Sequence, residues 1–222
     1  MLKLTPGLLL MLCMTLVLGV MLDVELTMVK HIAKITICYH HLQRLNQVRQ
    51  ILGPEVAARL VSTYVISRLD YCNSVLAGLP KASIMLLRVQ NTTARLIKLL
   101  DLRDHVLLTI CDLHWVPVKY QLTYKLCLMM HAANIHRCPG HIAELLIMTS
   151  SVISCSRLRS ASSNCYEVPR TRLKFGDRAF SIAGPTAWHS LPKEITAIAS
   201  TEQFKAQFKN YLCNLAYSNI YN

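Results

Sequence analysis

The sequence lacks the short motifs that identify many enzyme families. It contains no Gly-x-x-x-x-Gly-Lys loop to hold a nucleotide phosphate and no Gly-x-Ser-x-Gly elbow to present a nucleophilic serine. Two-metal nucleotidyl transfer needs clustered carboxylates. The aspartates are instead scattered, with no adjacent pair: Asp23, Asp70, Asp101, Asp104, Asp112 and Asp177. We therefore predict no catalytic residue and no cofactor.

Paired cysteines are also absent. The 9 cysteines include no Cys-x-x-Cys pair, and an odd number at irregular spacing does not resemble a disulfide framework. We expect most of them to act as small buried hydrophobic residues in a reducing compartment.

The uncharged run over residues 7–22 is short. A membrane-spanning helix needs about twenty apolar residues, whereas the core of a signal peptide is shorter. No small-x-small cleavage site follows, because Asp23 comes at once. Two interpretations of residues 1–22 stay open. They could direct the chain to a membrane or the secretory pathway, with membrane contact through 7–22, or form a buried strand or helix.

Positive charge is in excess. Lysine and arginine number 24 against 12 acidic residues, which gives a net charge of +12 in a chain that is 53% hydrophobic. Such an excess suits a polyanionic partner, either nucleic acid or an anionic membrane surface.

Apolar residues recur at helical spacing along most of the chain, which predicts a mainly α-helical protein. The predicted helices cover 24–52, 54–78, 81–100, 105–113, 117–136, 141–147 and 201–217. Gly53 and Pro54 predict a helix end followed by a helix start. Ser200 and Gln203 have the spacing of a capping box.

The third predicted helix carries a basic row. Lys81, Arg88 and Arg95 are seven residues apart and fall opposite the apolar face, with Lys98 beside them. A row of this kind could follow a phosphate backbone. The alternative is an ordinary solvated helix face.

Residues 150–199 form the most basic segment, which we predict to be irregular, with turns over 180–192. Its candidate nucleic-acid-binding residues are Arg157, Arg159, Arg170, Arg172, Lys174 and Arg178.

Two weaker constellations involve histidine. His131, His136, Cys138 and His141 offer zinc-ligand types around a turn, but their spacing matches no standard zinc module. The alternative is a polar helix end with incidental histidines. Cys111 and His114 would share a helix face only if the 105–113 helix reached that far, and a core cysteine is the simpler interpretation.

Several longer motifs occur in a fixed order. The first is Ser-Arg-Leu-Asp-Tyr-Cys-Asn-Ser-Val-Leu-Ala-Gly-Leu-Pro at 67–80. Others are Arg88-Val89-Gln90-Asn91, Leu113-His114-Trp115-Val116-Pro117-Val118, Val168-Pro169-Arg170, Phe175-Gly176-Asp177-Arg178, Pro185-x-x-Trp188 and Phe204-Lys205. Together they resemble the C-terminal part of reverse transcriptases from LINE-type (non-LTR) retrotransposons, over about residues 18–217. His189 departs from the pattern, where the family usually has asparagine.

The resemblance implies a thumb-like helical region that grips template and primer through the RNA or DNA backbone, without base readout. The family's catalytic Asp-Asp motif would lie upstream of this chain. The family consists of RNA-directed DNA polymerases, but we predict no enzymatic activity for this chain alone. We predict that the chain is located in the nucleus or the cytoplasm. Four segments follow: an apolar leader or palm-strand remnant at 1–22, a helical thumb-like domain at 23–149, the irregular basic segment at 150–199 and a C-terminal helix at 200–222.

Overall fold

Helices dominate the computed structural model, which describes residues 14–17, 20–23, 28–71, 76–101, 103–149, 165–173 and 176–218. Of the residues it describes, 72% are helical, so the prediction of a mainly α fold is confirmed. The chain divides into two compact units, Met1–Val118 and Lys119–Asn222.

The N-terminal unit begins with a β-hairpin. Strands β1 (Met14–Val17) and β2 (Val20–Asp23) pair antiparallel, with Met14 opposite Asp23. The hairpin covers the second half of the apolar leader, and residues 1–13 lie outside the described part. None of the helices in the described ranges combines the length and hydropathy needed to cross a bilayer.

Helices α1 (Val29–Thr36) and α2 (Cys38–Val61) follow, and a π-helical turn (Ser62–Ile66) leads into the short helix α3 (Ser67–Asp70). Gly53 interrupts α2 with φ 74° and ψ 166°. Left-handed φ values favour glycine, and Pro54 suits the first turn of the helix that resumes there. The predicted break at Gly53 and Pro54 is confirmed.

Helix α4 (Pro80–Lys98) begins with a proline after Gly78, which has φ 77°, and α5 (Val106–Asp112) comes next. The core of this unit consists of apolar residues from the hairpin and helices, including Val20, Ile32, Leu42, Val61, Leu69, Leu86, Val89 and Ile97. The helical periodicity therefore identified the buried face of α4.

Two sets of hydrogen bonds satisfy carbonyl groups at the C-terminal end of α4. Leu99 takes a left-handed conformation with φ 54°, and its N–H donates to the Arg95 carbonyl. The buried guanidinium of Arg49 donates to the carbonyls of Leu96 and Ile97, with Nε 3.1 Å from the Leu96 oxygen. The last carbonyls of a helix have no partner within it, so Arg49 acts as an arginine cap supplied by α2.

Helix α6 (Val118–Asn134) begins at the last residue of the N-terminal unit and otherwise belongs to the C-terminal unit. The C-terminal unit also contains α7 (Gly140–Ala143), α8 (Phe180–His189), α9 (Lys193–Thr196) and α10 (Thr201–Tyr217). The bounds predicted for the last helix are confirmed. Ser200 is its N-cap residue, but its side chain makes no capping hydrogen bond, so the predicted capping box is wrong. Ser200 and Gln203 are exposed, and water can satisfy an exposed first turn.

The prediction of turns over 180–192 is also wrong, because α8 occupies most of that stretch. Gly184 lies so close to α6 that a Cβ there would be 2.8 Å from the Met130 sulfur. Gly184, Pro185 and Trp188 are all buried. Gly184 and Pro185 have low helix propensity, but the close packing of α8 against α6 outweighs that preference.

The described cysteines are free thiols, and Cys38 and Cys127 are the buried ones among them. Burial raises the pKa of the Cys127 thiol to about 12, so it stays protonated at neutral pH and packs as a small hydrophobic residue.

Candidate nucleic-acid interface

The basic row of the sequence lies on α4. Arg88 and Lys98 are exposed and Arg95 is half-buried. Lys81 falls in the first turn of the helix, and its side chain is outside the described part. Seven residues make almost two helical turns, so Arg88 and Arg95 share one face about 10 Å apart along the axis.

Arg95 is held against the loop that follows α4. Its Nη2 lies 3.4 Å from the Asp104 carbonyl oxygen, and the Asp104 carboxylate accepts the N–H of Asp101 at 2.8 Å. The buried Nε of Arg95 has no hydrogen-bond partner among the described residues. This guanidinium is therefore positioned by the loop that follows α4.

Lys98 is partly neutralised. Its Nζ lies 3.9 Å from Asp112 Oδ2, and both side chains are largely exposed. An exposed pair of this kind contributes at most about 1 kcal/mol, so Lys98 could exchange Asp112 for a phosphate. Arg88 has no carboxylate within ion-pair distance in the described ranges.

A cleft of about 420 Å³ opens between α2 and α4 on the same face. Arg95 and Thr92 line it from α4, and Tyr39, Gln43 and Asn46 line it from α2. Leu42 and Leu96, both buried, form its apolar part. The cleft was not predicted from the sequence. The pattern that could have indicated it is the spacing of Tyr39, Gln43 and Asn46, which places three polar or aromatic residues along one edge of the apolar face of α2.

The second basic group lies in the C-terminal unit. Arg170 and Arg172 are exposed in a loop, and Arg178 is half-buried in a 3-10 turn at Gly176–Arg178. The Thr171 hydroxyl donates to the Asp177 carboxylate and so ties this loop together. Arg157, Arg159 and Lys174 lie outside the described residues.

The four candidate zinc ligands do not form a group. His136 and His141 are exposed, while His131 is buried in the core of the C-terminal unit. His131 Nε2 donates to the Ile198 carbonyl at 2.8 Å, and its ring stacks on Phe204 at 4.1 Å between centroids. In the described part of the chain, no three His, Cys, Asp or Glu side chains are arranged to hold a metal ion.

Cys111 and His114 do not share a helix face either. Helix α5 ends at Asp112, and His114 has φ 53° in the turn that follows. The Trp115 N–H donates to the Ile110 carbonyl at 3.0 Å and closes the helix end. His114 therefore occupies the left-handed position that ends a helix.

Gln90 joins two of the motifs that occur in order along the sequence. Its side-chain Nε2 donates to the Val116 carbonyl at 2.9 Å, and its Oε1 accepts the N–H of Val118 at 3.1 Å. Gln90 is buried. One amide thus satisfies backbone groups on both sides of Pro117, which itself has no N–H to contribute.

We expect Gln90→Leu to lower the free energy of unfolding of the N-terminal unit by about 2 kcal/mol, because leucine keeps the volume but removes the hydrogen bonds to the half-buried Val116 carbonyl and the buried Val118 N–H. Urea denaturation followed by far-UV circular dichroism measures the change. Asn91→Ala, at the half-buried neighbouring position, is the control and should cost much less. Equal losses in the two variants would show that the Gln90 bonds contribute nothing specific.

Motif residues also meet in the C-terminal unit. Trp188 lies 5.8 Å from Phe204 between ring centroids, and both are buried. His189 Nε2 accepts the Tyr166 N–H at 3.3 Å, and burial lowers the pKa of His189. The neutral imidazole therefore fills a role that the carbonyl of an asparagine side chain could also fill.

No protein-family model matches the chain, and neither does a curated protein or a solved structure.

Proposed function

We propose that this chain binds the sugar-phosphate backbone of RNA or DNA through the exposed basic face of α4. The observation that carries the proposal is the pair Arg88 and Arg95, seven residues apart on one face. Their axial separation of about 10 Å allows the two guanidinium groups to contact different phosphates of one strand. The net charge of +12 supports attraction to a polyanion.

The resemblance of the motifs to LINE-type reverse transcriptases supports the same proposal, in which the chain is a thumb-like binding region of an RNA-directed DNA polymerase. Gln90, Trp188 and Phe204 belong to those motifs and make hydrogen bonds or ring contacts within their units. In this proposal these buried motif residues build the scaffold, and exposed arginine side chains, including that of the motif residue Arg88, make the contacts with phosphate.

The test is the salt dependence of binding to a labelled single-stranded oligonucleotide, measured by fluorescence anisotropy. We expect affinity to fall steeply between about 50 and 200 mM salt, because each neutralised phosphate releases counterions. Arg88→Gln should weaken binding about threefold, the value of one exposed ion pair, and should reduce the salt slope by about 0.7.

Arg59→Gln is the matched control. Arg59 is also exposed, but it lies on α2 and not on the helix that carries the row. Affinity that does not change with salt, or equal effects of the two substitutions, would contradict the proposal.

A further inference from the structure

We infer that the cleft between α2 and α4 binds one nucleotide, with its base between the helices and its phosphate on Arg95. The inference rests on the proposed function and adds a base-binding site to a backbone-binding surface. Two features of the cleft carry it. One is the Arg95 side chain among its lining residues, and the other is the combination of an aromatic ring with two side-chain amides.

The position of Arg95 connects the cleft to the basic row. Arg88, Thr92 and Arg95 follow each other at spacings of four and three along one face of α4. A strand whose phosphates contact Arg88 would therefore continue towards Arg95. The Arg95 guanidinium is already held by the Asp104 carbonyl, so little side-chain freedom would be lost when it binds a phosphate.

The opposite wall is suited to a base. Tyr39 is half-buried and packs against the core of the N-terminal unit, which holds its ring in place. Gln43 and Asn46 are exposed, one and two turns further along α2. An aromatic face with amide donors and acceptors matches the stacking surface and hydrogen-bonding edges of a nucleobase.

The size and polarity of the cleft agree with this ligand. A volume of about 420 Å³ lies in the range of small-molecule sites. Leu42 and Leu96 provide an apolar surface for the flat base, and Arg95 is the one cation among the lining residues. That composition favours a single nucleotide over an acidic peptide, whose successive carboxylates would need several cations.

The experiment compares two fluorescent single strands of equal length and charge, one with normal bases and one abasic throughout. Wild-type protein should bind the normal strand about tenfold more tightly, because a base in the cleft would stack on Tyr39 and form hydrogen bonds with the amides of Gln43 and Asn46. In the double variant Gln43→Ala, Asn46→Ala, affinity for the normal strand should fall towards that for the abasic strand.

The double variant Gln47→Ala, Gln50→Ala is the matched control. It removes two side-chain amides, again three residues apart, from the exposed surface of the same helix, but neither residue lines the cleft. It should keep the preference for the normal strand. Circular dichroism spectra of both double variants verify that each is folded.

The outcomes separate this inference from the proposed function. Equal, salt-dependent affinity for the normal and abasic strands, with no binding of a nucleoside 5′-monophosphate, would overturn the base site and leave backbone binding intact. Failure to bind either strand would overturn both. A base preference that is as large in Gln43→Ala, Asn46→Ala as in the wild type would place base recognition elsewhere and would also overturn the inference.

A free nucleotide could supply the same chemistry as a nucleotide within a strand. Isothermal titration with a nucleoside 5′-monophosphate, and with ribose 5-phosphate as its base-free control, distinguishes the two sources. Binding of the monophosphate alone, with no preference between strands, would assign the cleft to free nucleotides. Preference for the normal strand would assign it to a strand.

Discussion

Phe204→Ala is expected to lower the free energy of unfolding of the C-terminal unit by about 3–5 kcal/mol. Phe204 is fully buried, and its ring lies 4.1 Å from the His131 ring, 5.3 Å from Phe208 and 5.8 Å from Trp188. Alanine would remove one aromatic partner from three others at once. The loss combines buried area, a cavity and stacking.

The measurement uses the fluorescence of Trp188 during urea denaturation, in a Trp115→Phe background. The chain has 2 tryptophans, and Trp188 is the one in the C-terminal unit. Leu215→Ala is the control because Leu215 is exposed on the same helix, and it should change stability by at most about 0.5 kcal/mol. A loss below about 1 kcal/mol for Phe204→Ala would contradict the placement of this ring at the centre of the core.

Arg49→Met should destabilise the N-terminal unit by about 3 kcal/mol. The substitution removes the hydrogen bonds to the Leu96 and Ile97 carbonyls, and each charge-assisted bond contributes about 1.5–3 kcal/mol. Burying the charge of arginine costs free energy, and methionine has no such cost, so part of the loss is offset. The helix end that would fray belongs to α4, the helix that carries the basic row.

Arg44→Met tests whether the effect depends on burial. It removes the same charge from the same helix, but Arg44 is exposed, so its cost should be within about 0.5 kcal/mol of zero. Arg49→Lys keeps the charge without the planar fork that reaches two carbonyls, so its loss should be intermediate. Trp115 fluorescence during urea denaturation, in a Trp188→Phe background, measures the stability of all three variants. Equal losses of stability for Arg44→Met and Arg49→Met would contradict the arginine cap.

Arg49 is charged, which favours an exposed position, but the structure buries it. It comes seven residues after the buried Leu42 and therefore lies on the same face of α2, the face that packs into the core. Whether a charged residue on that face can be buried depends on which element packs there. Here the end of α4 packs against it and brings carbonyls without partners in their own helix within reach of the guanidinium.

The candidate interface was predicted in part. The heptad spacing of Arg88 and Arg95 follows from helix geometry alone, so one sequence is sufficient to place them on a common face. The partial neutralisation of Lys98 by Asp112 depends on how α5 returns alongside α4. The cleft requires two helices to face each other, and no pattern within one of them contains that information.

The sequence by itself determined the helical class, the break at Gly53 and Pro54, and the limits of α4 and α10 to within two residues. These features depend on interactions between residues at most four apart, together with the backbone preferences of glycine and proline. Tertiary structure decided the helix over Phe180–His189, the burial of Arg49 and Gln90, and the cleft at Arg95. Each of these arises where segments distant in sequence meet, and there the pairing of buried backbone groups and the filling of space outweigh local preference.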